Sequence, residues 1–211
     1  MRLIVAAVVA SALSGTSAVA APVVGQISLG GYAQSVGSAG MGGATGISFA
    51  NASGLSVTGT SGSISSFGAG SGSFSALGAC SSQSSGCGTI KDIASLSTPA
   101  AISSFLTLTG TPAFSFDLSG LSMVSRSQDA SGGSLSFTAD GTINLAGFDQ
   151  TPGQFFFTAQ GNNIVSYSAT VIARAAPAIP EPATWAMMLV GFSMVGIVAR
   201  RRITATKVTF A

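Results

Sequence analysis

Apolar and polar residues alternate with a period of two through most of the segment 102–173, as in strands that bury one face. The run 165–171 alternates without interruption, and Asp140-Gly141 lies between two such runs as a strong hairpin signal. Strands at about ten-residue spacing with such turns predict a meander in an antiparallel sandwich or barrel. For residues 89–173 we predict an all-β fold, an antiparallel sandwich or meander of short strands.

The pattern is weaker in the segment 21–88, where glycine and serine replace most large side chains. Such a composition loses much entropy on ordering and offers little to bury. Short apolar pairs at 64–67 and 74–77 are strand candidates, and a mobile extracellular segment is the alternative. Of the two, we favour weak strands joined by flexible loops. An Ala/Pro linker, 174–179, follows the β domain.

At the N-terminus, an apolar run replaces the alternation. Arg2 precedes the run 3–13, and Ala18-Val19-Ala20 provides the small residues of a cleavage site. This predicts a secretory signal peptide over 1–20, cut between Ala20 and Ala21, and therefore contact with the secretion machinery and signal peptidase. Eleven apolar residues are short for an uncleaved membrane anchor.

A second apolar run, 182–199, contains no charged residue and ends at three arginines. As a helix, its 18 residues would measure about 27 Å, against roughly 30 Å of hydrocarbon, which predicts a single C-terminal transmembrane helix. Pro182 suits the first helical position, and Trp185 suits the headgroup level. The arginines predict a cytoplasmic end, with 203–211 as a cytoplasmic tail.

This C-terminal segment resembles the PEP-CTERM sorting signal of Gram-negative, exopolysaccharide-producing bacteria, in its sphingomonad-type form. The resemblance covers 180–202 and implies recognition by an exosortase, an integral-membrane cysteine transpeptidase-like enzyme. It also implies processing near the Pro-Glu-Pro motif and export to the surface. The residues that carry it are Pro180, Glu181, Pro182, the run 183–189 with Trp185, Gly191, Phe192, Arg200, Arg201 and Arg202.

The two cysteines, Cys80 and Cys87, flank a short polar loop. In an oxidising periplasm such an isolated pair predicts a disulfide. Closing so short a loop would contribute roughly 2 to 3 kcal/mol. We expect no metal site here, because two thiolates need further ligands and the chain has no histidine.

Charge narrows the classes of function. Charged residues make up 7% of the chain, against about 25% in typical domains. Between residues 21 and 179 there are three cationic residues and five aspartates, so the net charge of this segment is 3 − 5 = −2. Without a basic patch to hold phosphates, we expect no nucleic-acid binding.

Candidate catalytic groups are few. The absence of histidine excludes Ser-His-Asp and Cys-His arrangements, and the sole glutamate, Glu181, lies in the sorting motif. Asp117 with Asp140 is the one conceivable pair of glycosidase carboxylates. Asx hydrogen bonding in turns explains Asp129, Asp140 and Asp149 without function, and calcium binding is the minor alternative. We therefore predict a protein that is not an enzyme and has no cofactor or metal.

Aromatic residues suggest a binding role instead. In the run 155–157, alternation sends Phe156 to the face opposite its neighbours. Tyr32 and Tyr167 are further candidates to stack on sugar rings, although for most of these rings we favour a role in the core or as cover for the sheet.

Together these features predict an exported, non-catalytic protein of the cell envelope or extracellular matrix, processed by an exosortase and associated with exopolysaccharide or biofilm. The inner membrane would hold the precursor transiently, with the ectodomain in the periplasm, before it reaches the cell surface or the exterior. The alternative is a permanently anchored, single-pass periplasmic protein with a ligand-binding or complex-subunit role.

Overall fold

A computed structural model describes residues 20–174 and 182–203 of the protein. Within the second range, the side chains at 182–184, 198–199 and 201–203 are not described. The chain divides into two compact units, Met1–Ala176 and Pro177–Ala211.

The first unit is built from β-strands. Short 3-10 turns occur at Met41–Gly43 and Gly72–Leu77. In chain order the strands are β1 (Gln26–Val36), β2 (Gly46–Phe49), β3 (Ser61–Phe67), β4 (Cys80–Ser81), β5 (Gly88–Lys91), β6 (Ile102–Leu108), β7 (Phe114–Ser127), β8 (Ser134–Leu145), β9 (Thr151–Gln160) and β10 (Ile164–Ala173).

Eight of these strands form a closed antiparallel barrel in the order β1-β10-β9-β8-β7-β6-β5-β3, and β3 returns to β1. The predicted all-β antiparallel architecture is confirmed, and β6 to β10 follow one another as a meander. The predicted sandwich is wrong. Because β1 pairs with both β10 and β3, one sheet closes on itself, which leaves fewer exposed strand edges than two open layers would.

The Gly/Ser-rich segment supplies β1 to β4. Strand β2 pairs with the last part of β1, and its Ile47 also bridges to Ile93, so β2 occupies the space between β1 and the chain after β5. Gly62 of β3 permits a further close approach, between β3 and the end of β2, since a Cβ there would lie 2.3 Å from the carbonyl oxygen of Ala50. Small residues in this segment therefore allow strands to pack closely.

Aromatic rings fill the barrel interior. Phe49 of β2 makes edge contacts with Phe105, Phe157 and Tyr167, at centroid distances of 6.2, 6.0 and 5.4 Å. Phe137 stacks on Phe157 at 4.7 Å. Each buried phenylalanine contributes about 1.5–3 kcal/mol by burial, so these rings are a main source of barrel stability.

The second unit contains one described helix, α1 (Pro182–Ile203), which begins at a proline as first helical positions often do. Its described side chains run from 185 to 197, with Arg200 beyond them. Among the described residues, no helix is long and apolar enough to cross a membrane. The predicted membrane-spanning helix over 182–199 is thus present as a helix, but its membrane span gains no support.

Candidate functional site

Strand β9 carries one large aromatic side chain on the outside of the barrel. Its alternation buries Phe155 and Phe157, which are 0% and 1% exposed, while Phe156 is 38% exposed. The predicted opposite orientation of Phe156 is confirmed. Because the barrel core is complete without it, this ring is available to a ligand.

Phe156 lies in a groove of about 390 Å³ on the outer surface, which we call the Phe156 groove. The register of the sheet brings its members together: Phe156 pairs with Thr138 of β8, and Thr138 pairs in turn with Met123 of β7. Two positions before Phe156 on the same face, Gln154 pairs with Asp140. The lining residues are Ser122, Met123, Thr138, Asp140, Gln154, Phe156 and Arg174.

The polar side of the groove is held by hydrogen bonds. Gln154 Nε2 donates to Asp140 Oδ1 at 2.7 Å. Hydrogen bonds from Gln154 and then Ser122, together with the positive charge of Arg174, lower the pKa of Asp140 against a smaller opposing effect of burial. The carboxylate is therefore ionised at neutral pH and accepts hydrogen bonds. An apolar ring beside a few placed polar groups is the usual make-up of a ligand site.

The two tyrosines occupy different environments. Tyr32 is half-buried on the outer side of β1, while Tyr167 is 4% exposed and packs between Phe49 and Phe157. Burial raises the pKa of the Tyr167 hydroxyl, which is the one buried side-chain polar atom without a hydrogen-bond partner in the described chain. The prediction that Tyr167 could stack on a sugar ring is therefore wrong, because its ring packs in the core.

The two carboxylates considered as a glycosidase pair, Asp117 and Asp140, form hydrogen bonds with different residues. Asp117 accepts hydrogen bonds from Asn144 Nδ2 at 2.8 Å and from the backbone N–H of Ser104, whereas Asp140 is held by Gln154. A general acid needs a raised pKa, and that of Asp140 is lowered.

The remaining aspartates have local roles. Asp129 accepts from the backbone N–H groups of Ser131 and Gly133, which is the Asx turn expected from the sequence. Asp92 accepts from the backbone N–H of Phe49 at 2.8 Å and so fixes the end of β2. Asp149 lies beside the start of the described chain, where its backbone N–H donates to Ala21. Over residues 20–174 and the described part of α1, no three potential metal ligands come together.

Cys80 and Cys87 form a disulfide with a Cα–Cα distance of 5.8 Å. Cys80 lies in β4, opposite Phe67 of β3, and the fully buried Cys87 immediately precedes β5. The disulfide therefore ties together two strands that both pair with β3.

The predicted signal-cleavage site lies where the described chain begins. Ala20 and Ala21 are exposed, and residues 1–19 lie outside the described residues. Just beyond, the backbone N–H of Val23 donates to the Thr151 hydroxyl at 2.8 Å. A chain beginning at Ala21 would keep these contacts with the start of β9.

The sorting residues lie in or next to α1. Pro180 and Glu181 are outside the described residues, Pro182 begins the helix, and Arg201 and Arg202 lie within it without described side chains. Trp185 and Arg200 are exposed. The large apolar side chains described in α1 are all between 51% and 72% exposed, so apolar surface covers the described part of this helix.

Residues 178–202 match the family model of the PEP-CTERM protein-sorting motif. The chain carries a PEP-CTERM sorting motif. The resemblance found in the sequence is therefore confirmed, and the motif indicates an exported protein that is sorted at the membrane and processed by an exosortase. Comparison with curated proteins and comparison with solved structures each give no match.

In the barrel, the sequence pointed to Phe156 and Asp140 but not to Gln154, Arg174 and Met123 as their neighbours. A partial signal was present, since Gln154 lies two positions before Phe156 and must share its face. No local pattern revealed that Asp140 pairs with Gln154, because that register depends on the pairing of β8 with β9.

Proposed function

We propose that this protein is an exosortase substrate that reaches the cell surface or extracellular matrix and acts there without catalysis, in association with exopolysaccharide. The observation that carries the proposal is the sorting motif over 178–202. Signal peptidase would act between Ala20 and Ala21, and the exosortase would act near Pro180-Glu181-Pro182.

The surface of α1 supports membrane-associated processing. Exposed apolar side chains such as Leu189 and Phe192 are costly in water and are stabilised where lipid or an integral-membrane enzyme covers them. Three arginines at the end of the helix favour the cytoplasmic side. The precursor would therefore be held at the inner membrane until it is cut.

The chemistry of the barrel supports a binding role over a catalytic one. The lowered pKa of Asp140 suits a hydrogen-bond acceptor, and no histidine is available as a general base. Hydroxyl side chains cover much of the outer surface, where Thr158 and Ser168 are exposed on adjoining strands. Such groups exchange hydrogen bonds readily with a hydrated polysaccharide.

Intact-mass spectrometry of the protein recovered from exosortase-containing cells tests the processing. We expect a mature chain that begins at Ala21 and ends near 180–182. Replacing Pro180, Glu181 and Pro182 together by alanine should leave the C-terminal segment uncut. The control variant Pro177→Ala, just outside the motif, should be cut like the wild-type chain.

Recovery of the wild-type chain with residues 182–203 still attached would overturn this proposal. That result would favour a permanently anchored periplasmic protein whose barrel binds a ligand or serves as a subunit of an envelope complex.

A further inference from the structure

On the outer surface of the barrel, two large apolar side chains flank a small polar one in the Phe156 groove. Phe156 of β9 and Met123 of β7 lie on either side of Thr138 of β8, and Met123 is 70% exposed. Two strand spacings separate β7 from β9, about 10 Å. This width admits one saturated ring in contact with both apolar side chains.

One end of the Phe156 groove is polar and already ordered. The hydrogen bond from Gln154 fixes the Asp140 carboxylate, which has about four acceptor positions and so keeps capacity for a ligand hydroxyl. Arg174 adds donors to the same groove, and its backbone N–H donates to Pro152 at 2.8 Å. Groups held in place before binding lose less entropy when a ligand arrives.

The groove is open at the β7 edge. Pairing between β6 and β7 ends at Leu118, and beyond it β7 pairs with β8 alone in the described chain. The 3-10 turn Met41–Gly43 approaches β7 at the Ser127 end, where a Cβ on Gly42 would lie 2.3 Å from the carbonyl oxygen of Ser127. A closed pocket accepts only the end of a polymer, whereas a groove open at its edge lets a chain continue past the bound unit. This geometry favours an internal unit of a polymer over a small free molecule.

The chemistry of these residues specifies the ligand. A pyranose has C–H groups on its ring faces and hydroxyls around its rim. The C–H face is attracted to the negative face of an aromatic ring, and the hydroxyls match carboxylate, amide and guanidinium groups. The carboxylate and the guanidinium balance in charge, which favours an uncharged sugar over an acidic or basic one.

We propose that the Phe156 groove binds a neutral pyranose unit within a polysaccharide chain, with Phe156 as the stacking ring and Asp140, Gln154 and Arg174 as hydrogen-bonding partners. This inference rests on the proposed association with exopolysaccharide and assigns that association to one site.

Affinity electrophoresis of the exported protein tests the site, with exopolysaccharide purified from the producing organism as the probe. We expect retardation of the wild-type protein, and about a tenfold weaker affinity for Phe156→Ala and for Asp140→Asn. The matched control is Leu55→Ala, which removes a 64% exposed side chain in the loop between β2 and β3, outside the residues that line the groove. Its affinity should stay within about twofold of the wild-type value.

Each outcome either supports or overturns the proposed sugar-binding site. Wild-type affinity in both groove variants would place any binding elsewhere and overturn the proposal, and so would an absence of retardation for the wild-type protein. Circular dichroism of each variant separates lost binding from lost fold, and Asp140→Asn preserves side-chain shape if Phe156→Ala unfolds. The mass of the exported chain reports exosortase processing independently, so failure of the groove is distinguishable from failure of the sorting mechanism.

Discussion

The barrel and helix α1 are both rich in large apolar side chains, but they place them in opposite environments. In the barrel, rings such as Phe157 are fully buried and contact one another. In α1, Phe192 is 68% exposed, and the other large apolar side chains described there are at least half exposed. The barrel buries its large apolar side chains in its own core. Those of the helix are exposed, and contact with lipid or with another protein would stabilise them.

This difference indicates that the barrel and helix α1 have different roles. A closed core lets the exported part hold its fold without outside help. An uncovered apolar helix instead suits the membrane-associated sorting that the motif indicates. Mutations of the same residue type in the two regions should therefore differ sharply in their effect on stability.

The largest expected effect comes from matched phenylalanines. In the unprocessed full-length chain, Phe157→Ala should lower the free energy of unfolding by about 3–5 kcal/mol, because it leaves a cavity among stacked rings. Phe192→Ala should change it by less than about 0.5 kcal/mol. Guanidinium denaturation followed by near-ultraviolet circular dichroism measures both. Similar losses for the two variants would mean that the helix contributes to the barrel's stability.

An intermediate effect is expected from the disulfide. Replacing Cys80 and Cys87 by serine should lower the free energy of unfolding by roughly 2 to 3 kcal/mol, since the unfolded chain regains the freedom of the loop. Thermal unfolding with and without reductant measures it. Reductant should destabilise the wild-type barrel to a similar extent and leave the double variant unchanged. A wild-type barrel insensitive to complete reduction would contradict this expectation.

The smallest expected effect is a gain in the free energy of unfolding, where the two preceding effects are losses. The buried Tyr167 hydroxyl lacks a partner, and a Cβ on Gly31 would lie 2.9 Å from it. Removing an unsatisfied buried hydroxyl relieves its desolvation cost, so Tyr167→Phe should raise the free energy of unfolding by about 1 kcal/mol. Tyr32→Phe, on the outer side, should have little effect. A loss of stability in Tyr167→Phe, measured by guanidinium denaturation, would show that the hydroxyl is paired in solution.

Much of the barrel wall was predictable from local pattern. The alternation in β9 and β10 identified strands with one buried face, and it placed Phe156 outside between two buried rings. The hairpin predicted at Asp140-Gly141 is wrong, because these two residues lie inside the continuous strand β8 and pair with β9. The Gly/Ser-rich segment was harder to interpret, because glycines such as Gly62 serve close packing between strands and leave no hydrophobic signal. Two of the seven residues that line the candidate groove, Phe156 and Asp140, were named from the sequence.

The sequence by itself determined the sorting motif, since Pro-Glu-Pro, an apolar run and three arginines form one contiguous segment that an enzyme recognises along the chain. Only the tertiary structure decided that the sheet closes and which side chains share the Phe156 groove. Closure depends on partners such as Ser28 and Thr170, which pair across β1 and β10 although 142 positions separate them. Local periodicity specifies which face a side chain occupies, but not which distant strand lies beside it.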